Sequence, residues 1–219
     1  MRKLFLMCAA LLISATTALA GNDLSLKDIT SGKFAPKGIG SITALDDGET
    51  YAQVSKDGKK VVRYSFRTGK QTDVLFDVNN TIGQKIESFE DYIMSPDGTK
   101  MLIQTNSHKI YRRSFTADFY IYTIASRKLE KLSDNGAQQT PVWSPDGKQI
   151  AFVRDNNIFL VKLLYDNAES QVTKDGKKNE LINGIPDWVN EEEFGFNTAM
   201  TFNGDGSMIC WIKYDEKDV

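Results

Sequence analysis

Glu191, Glu192 and Glu193 form an unbroken acidic run, and Arg112 and Arg113 adjoin in a basic one. The acids follow Asp187, which can cap a short helix starting near Trp188. All three carboxylates then fall in its first turns, where negative charge suits the helix dipole. Consecutive residues diverge by about 100° around a helix, so the three cannot share one ligand. Two can converge on a single cation. A peptide α-amino group, with a reference pKa of about 7.7 to 8.0, would be held protonated by such a pair. The competing reading is a solvated acidic helix face. The segment around NSHKIYRRSFTA is basic and the segment KNELINGIPDWVNEEEFGF is acidic. Opposite charges on the two suit a dipolar ligand held between them.

Other chemistries have no residues to carry them. The sequence holds no G-x-S-x-G elbow and one histidine, His108, so no serine-histidine-acid triad can be assembled from it. His108 sits in a polar stretch and is expected to be an exposed loop residue. Cys210 lies in the apolar strand Met208 to Ile212, where a buried, inert thiol is expected. Neither residue has neighbours at metal-ligand spacing, and phosphate-cradling glycine motifs are missing. No metal site and no cofactor is therefore expected.

The charged segments interrupt a repeat, and the repeat must position them. Trp143 to Val161, WSPDGKQIAFVRDNNIFLV, reads as strand, turn, strand, turn, strand. Pro145 supplies the φ near −65° and Gly147 the positive φ that a sharp reversal needs. Ile150 to Val153 is a short apolar run, as expected of a strand buried on both faces. The same punctuation recurs in LDDGETYAQV, MSPDGTKMLIQ and FNGDGSMICWI. Gly48, Gly98, Gly147 and Gly206 are separated by 50, 49 and 59 residues. A strand-rich period near 50 predicts an all-β fold, a β-propeller of four-stranded blades. A β-sandwich with coincidental hairpins is the competing architecture.

Blade one is expected from Ser41 to about Phe76, blade two from about Phe89 to Leu132, and blade three to Val172. Blade four begins before Met200 and is cut off at Val219. Two intervals are too long for the template. Gly98 to Leu132 spans 34 residues where Gly147 to Val172 spans 25, and Val172 to Gly206 spans 34 where Leu132 to Gly147 spans 15. These insertions contain the basic and the acidic segments. Loops added to repeats are where function concentrates, because they lengthen without disturbing the blade core.

Residues 1–20 read as a signal peptide: Arg2-Lys3, an apolar run from Leu4 to about Ile13, and Ala18-Leu19-Ala20 as a cleavage site. Cys8 lacks the preceding small residue of a lipoprotein signal. A periplasmic or secreted product is expected. Its 199 residues, 21–219, lose two of the 27 basic residues and keep all 29 acidic ones. That balance gives no reason to expect nucleic acid or an anionic membrane as partner. With Cys8 removed, Cys210 has no intrachain partner. Residues 21–40 form a polar lead-in, expected to pack as an outer strand or to lead into blade one.

NGIPDWVNEEEF resembles the glutamate motif of the dipeptidyl peptidase IV group within the prolyl oligopeptidase family of serine peptidases. LSLKDITSGKF, MSPDGTKMLI, YRRSFTADFYIY, WSPDGKQIAFVRDNNIF and KYDEKDV extend the resemblance over almost all of residues 21–219. It implies an eight-bladed propeller followed by an α/β-hydrolase domain, releasing dipeptides from N-termini with Pro or Ala second. About four of the eight blades would be present, and the catalytic α/β-hydrolase domain would lie outside this chain, which would be inactive alone. The resemblance further implies that Glu192 and Glu193 bind the substrate's ammonium group and that Arg112 contacts a substrate carbonyl. Arg113 is read as structural, and Glu191 as pointing elsewhere around the helix, where Glu191→Gln should cost little. Asn190 stands where relatives commonly carry an aromatic residue. Peptides with a free N-terminus are the expected partners, with room for a homodimer formed through residues beyond Val219. The alternative function is a non-catalytic periplasmic propeller that binds proteins, for which a glutamate insertion has no use.

A partial propeller exposes the apolar faces of its terminal blades. Residues 21–219 expressed alone are expected to aggregate or to melt without cooperativity in calorimetry. A monodisperse, cooperatively melting monomer would count against the partial-propeller reading.

Overall fold

The structure is a computed structural model that describes residues 24–36, 38 and 40–218. The expected signal peptide, with Cys8, lies outside the described residues. The chain divides into two units, Met1–Ile39 and Gly40–Val219.

In the first unit the lead-in forms a short helix, α1 (Leu26–Thr30), rather than a strand. The cause is a capping box. The Asp28 N–H donates to Ser25 Oγ at 3.1 Å while the Asp28 carboxylate accepts from the Ser25 N–H at 3.4 Å.

The second unit is built of small, mostly antiparallel sheets. The first comprises β1 (Ile42–Ala44), β2 (Thr50–Val54), β3 (Lys60–Ser65) and β4 (Gln71–Asp77), hydrogen-bonded in that order. The second adds a strand. After β5 (Ile82–Gly83) come β6 (Asp91–Met94), β7 (Lys100–Lys109), β8 (Phe115–Thr123) and β9 (Lys128–Lys131). Its order is β5-β9-β8-β7-β6, with β5 running parallel to β9. The third comprises β10 (Gln139–Trp143), β11 (Gln149–Arg154), β12 (Asn157–Lys162) and β13 (Ala168–Gln171). Beyond it, β14 (Leu181–Asn183) pairs with β17 (Lys213–Asp215), and β15 (Met200–Phe202) with β16 (Ile209–Trp211). The first three sheets follow the expected blades, and Gly48, Gly147 and Gly206 each join the first two strands of their own sheet, while Gly98 joins β6 to β7.

The repeated turn works through its side chains. Ser144 Oγ donates to Asp146 Oδ1 at 2.7 Å and accepts from the Gln149 N–H at 2.9 Å, while the Gly147 N–H donates to Ser144 O at 2.9 Å. Ser95, Asp97 and Lys100 repeat this arrangement before β7. Ser55, Asp57 and Lys60 repeat it between β2 and β3. Gly147 has φ +67°, a conformation strained for any residue with a Cβ.

Strand alternation places successive side chains on opposite faces, and here both faces are apolar. Met101 and Ile103 of β7 pack toward Val61, Leu75 and Phe76 of the first sheet. Leu102, between them in sequence, packs toward Ile150 and Phe152 of the third. Ala151 and Val153, alternating with those two, pack toward Ile182, Ile185 and Met200. Sheets stacked face to face through such alternating strands are propeller blades.

Cys210 is exposed, contrary to expectation. Its strand, β16, is hydrogen-bonded to β15, and among the described residues no further sheet covers its outer face. An apolar neighbourhood in sequence did not make this position a core position.

Phe152 is fully buried, stacks on Phe159 with ring centroids 5.6 Å apart, and fills the space between the second and third sheets. Phe152→Ala should cost about 3–5 kcal/mol. The check, made on the full-length protein, is a lowered urea midpoint. An unmoved midpoint would show that stability does not reside in the contact between blades.

Candidate functional site

The basic insertion is an extension of a hairpin. β7 and β8 run to ten and nine residues, whereas β11 and β12 of the third sheet have six each. His108 therefore lies at the end of a strand rather than in a loop; it pairs with Thr116 and is exposed, as expected. The register shifts between Thr105 and His108, where Asn106 adopts φ +52°. Glu90 braces that irregularity, accepting from the Ser107 N–H at 3.1 and 3.2 Å. At the tip, residues 110–114 turn the chain and present Arg112 and Arg113.

The acidic insertion leaves the third blade through β14 and forms helix α2 (Trp188–Phe194). Asp187 is its N-cap, as expected, and accepts from the Asn190 N–H at 2.7 Å. The Asn190 side chain folds onto the same carboxylate, donating from Nδ2 at 2.8 and 3.0 Å. A second contact to the cap is thus what the Asn190 side chain contributes. Gly195 closes the helix with φ +71°. A Cβ there would lie 3.2 Å from Arg113 Nη2, so glycine also lets that guanidinium sit against the helix C-terminus, where positive charge is favoured.

The two insertions meet. Arg112 Nε lies 2.9 Å from Glu192 Oε2 and donates to Glu192 Oε1 at 3.2 Å. This pair is largely open to solvent, 74% exposed on the arginine side and 25% on the glutamate side, so it contributes little to stability. Beside it Glu193 is exposed. Glu191 points the other way and is 1% exposed. Its Oε1 accepts from the main-chain N–H groups of Arg113 at 2.7 Å and Ser114 at 2.9 Å. Asn197 Nδ2 donates to the Arg113 carbonyl at 3.3 Å. A cavity of about 470 Å³ adjoins both insertions, lined in part by Tyr111, Ser114, Arg154, Ile185, Asp187 and Trp188. Arg112, Glu192 and Glu193 do not line it; Arg112 and Glu193 are exposed, and Glu192 is half-buried.

Residues 95–219, more than half of the chain and inclusive of both insertions, match the family model described as the dipeptidyl peptidase IV (DPP IV) N-terminal region. The chain belongs to the dipeptidyl peptidase IV family. Among DPP IV relatives, it is 35% identical over 212 residues to a probable dipeptidyl-aminopeptidase B of Emericella nidulans, covering 91% of this chain and 23% of that protein. It is 31% identical over 198 residues to prolyl endopeptidase FAP of Homo sapiens, covering 90% and 25%. The crystal structure of Porphyromonas gingivalis dipeptidyl peptidase 4 superposes with a TM-score of 0.85 at 37% identity, over 91% of this chain and 28% of that one. The chain thus spans about a quarter of the length of the DPP IV relatives it matches.

Of the residues singled out in the sequence, the structure brings Arg112 and Glu192 into contact, with Glu193 adjacent on the same helix. The Arg113 guanidinium lies beside Gly195 at the helix C-terminus. Glu191 diverges from its neighbours, as helix geometry requires, but its destination was missed: it is a buried acceptor for the tip of the other insertion. The available signal was that one of three consecutive helical carboxylates must face the protein.

Burial alone would raise the Glu191 carboxyl, but hydrogen bonds from Ser114 and Arg113, with the Arg113 charge nearby, hold it below the usual carboxylate range. A depressed folded-state pKa adds stability that is present above the unfolded value, about 4.3, and is lost as pH falls through the folded one. Amide protection factors at Arg113 and Ser114 should therefore persist at neutral pH and fall at acid pH ahead of those in β11. Equal loss at both places would argue that the Glu191 contact is not a separate, titrating junction.

Proposed function

We propose that this chain is the substrate-anchoring propeller portion of a secreted or periplasmic serine dipeptidyl peptidase that releases N-terminal X-Pro and X-Ala dipeptides. The observation that carries the reading is the Arg112–Glu192 contact, which joins the two insertions that depart from the blade repeat. Family membership and the apolar, small-residue pattern of residues 1–20 support it.

In this reading Glu192 and Glu193 bind the substrate's α-ammonium group. The ammonium supplies three donors and a full charge, and two adjacent carboxylates of the helix can converge to accept them. The exposed Arg112–Glu192 pair is weak enough for a substrate to enter it, with Glu192 turning toward the ammonium group and Arg112 left to donate to a peptide carbonyl. Fixing the N-terminus fixes the distance to the scissile bond, so the cut falls after the second residue. A propeller of this kind orients the substrate; the nucleophile and its base belong to the hydrolase domain implied by the family.

The test is Glu192→Gln and Glu193→Gln in the full-length peptidase. Losing a charged hydrogen bond in a partly desolvated site should cost on the order of 2 to 4 kcal/mol, roughly 30-fold to 1,000-fold in kcat/KM. N-acetylated peptides, which lack the cation, should be poor substrates of the unmutated enzyme. Unchanged activity in both variants, or equal turnover of free and acetylated peptides, would reduce the acidic run to a solvated face.

A further inference from the structure

The third carboxylate of the acidic run has no place in the anchoring just described, yet it is the most buried of the three. Glu191 is set one helical residue before Glu192, and its Oε1 receives the N–H groups of the two residues that follow Arg112. Those N–H groups belong to a hairpin tip, where main-chain partners are scarce: Ser114 O takes the Ile110 N–H at 3.0 Å and the Tyr111 N–H at 3.4 Å, which closes the turn on itself. The clamp from Glu191 is what ties that turn to the helix.

We propose that Glu191 is a positioning residue for substrate binding: it fixes the hairpin tip on helix α2 so that Arg112 and Glu192 are held at their working separation before the peptide arrives. The proposal rests on the anchoring role of Glu192 and extends it. Three structural facts support it beyond the hydrogen bonds. The contact spans 77 and 78 residues of sequence, so no local turn preference could replace it. A Cβ at position 195 would lie 3.2 Å from Arg113 Nη2, so the clamp acts beside a close approach that glycine eases. The Arg112–Glu192 pair itself is solvent-exposed and too weak to hold two insertions together. Preorganisation of this kind acts on binding through geometry, and small displacements of a charged contact are costly.

The experiment uses the full-length peptidase and free-N-terminus X-Pro substrates. Glu191→Ala leaves the buried Ser114 N–H and the part-buried Arg113 N–H without their acceptor and should lower kcat/KM about 10-fold to 100-fold. Glu191→Gln keeps an oxygen where Oε1 stands and should stay within about threefold of the parent enzyme. A residue needed only for folding would add its loss in any background. A positioning residue acting through Arg112 would not, so in an Arg112→Ala background Glu191→Ala should cost little more. Should Glu191→Ala fail to accumulate as folded enzyme, Glu191→Asp draws the acceptor back by one methylene at constant charge and is expected to behave as Ala does. Full activity in Glu191→Ala or Glu191→Asp while Glu192→Gln is impaired would overturn the proposal and leave the anchoring intact. Losses that simply add to that of Arg112→Ala would overturn it too. A harmless Glu192→Gln would remove the anchoring and this proposal together.

Discussion

The second and third sheets are apolar on both faces, so neither can be buried without a neighbour on each side. That single constraint organises the molecule. It forces Met101 and Ile103 one way and Leu102 the other, then repeats the arrangement with Ile150 and Phe152 against Ala151 and Val153. It leaves the turns and the ends of hairpins as the places where sequence can change without disturbing the stack. Both insertions occupy such places, one prolonging β7 and β8 and the other following the third sheet.

The insertions face the opposite problem. They leave large apolar side chains such as Tyr111, Trp188, Val189 and Phe194 exposed, and they hold their shape through carboxylates that accept main-chain N–H groups. Glu90 does this where the hairpin register breaks, Asp187 where helix α2 begins, and Glu191 where helix and hairpin meet. Burial raises the carboxyl of Glu90 and of Glu191, and the bonds they accept lower both by more. A site built this way is fixed by polar contacts on a scaffold fixed by apolar ones.

The blades were legible because their turns carry a chemical signature. Ser or Asn, Asp and Gly at fixed offsets bond one another, so the letters themselves encode the reversal, and the apolar runs between them have one use. The helix of the acidic insertion was legible for the same reason, through Asp187. Strand β5 was not: two residues, Ile82 and Gly83, pair in parallel with β9, and Gly83 leaves no Cβ to meet Leu129 O, which would lie 2.8 Å away. Nothing local marks such a pairing. The burial of Glu191 and the exposure of Cys210 were hidden for a related reason, since each depends on which distant segment covers it. Helix α1 was missed differently, because Ser25 and Asp28 do spell a capping box within a segment too polar to suggest packing.

The Glu191 contact joins a side chain to a backbone, and this has an evolutionary corollary. Any residue except proline supplies the same N–H group at positions 113 and 114, so the hydrogen bonds themselves ask for no particular side chain there. At position 114 the two ends of the junction can drift independently, and an alignment searched for correlated pairs would pass over those bonds; at position 113 the charge that favours the Glu191 carboxylate adds a further constraint. What selection would preserve is an acceptor at one position and the exclusion of a single residue type at two others.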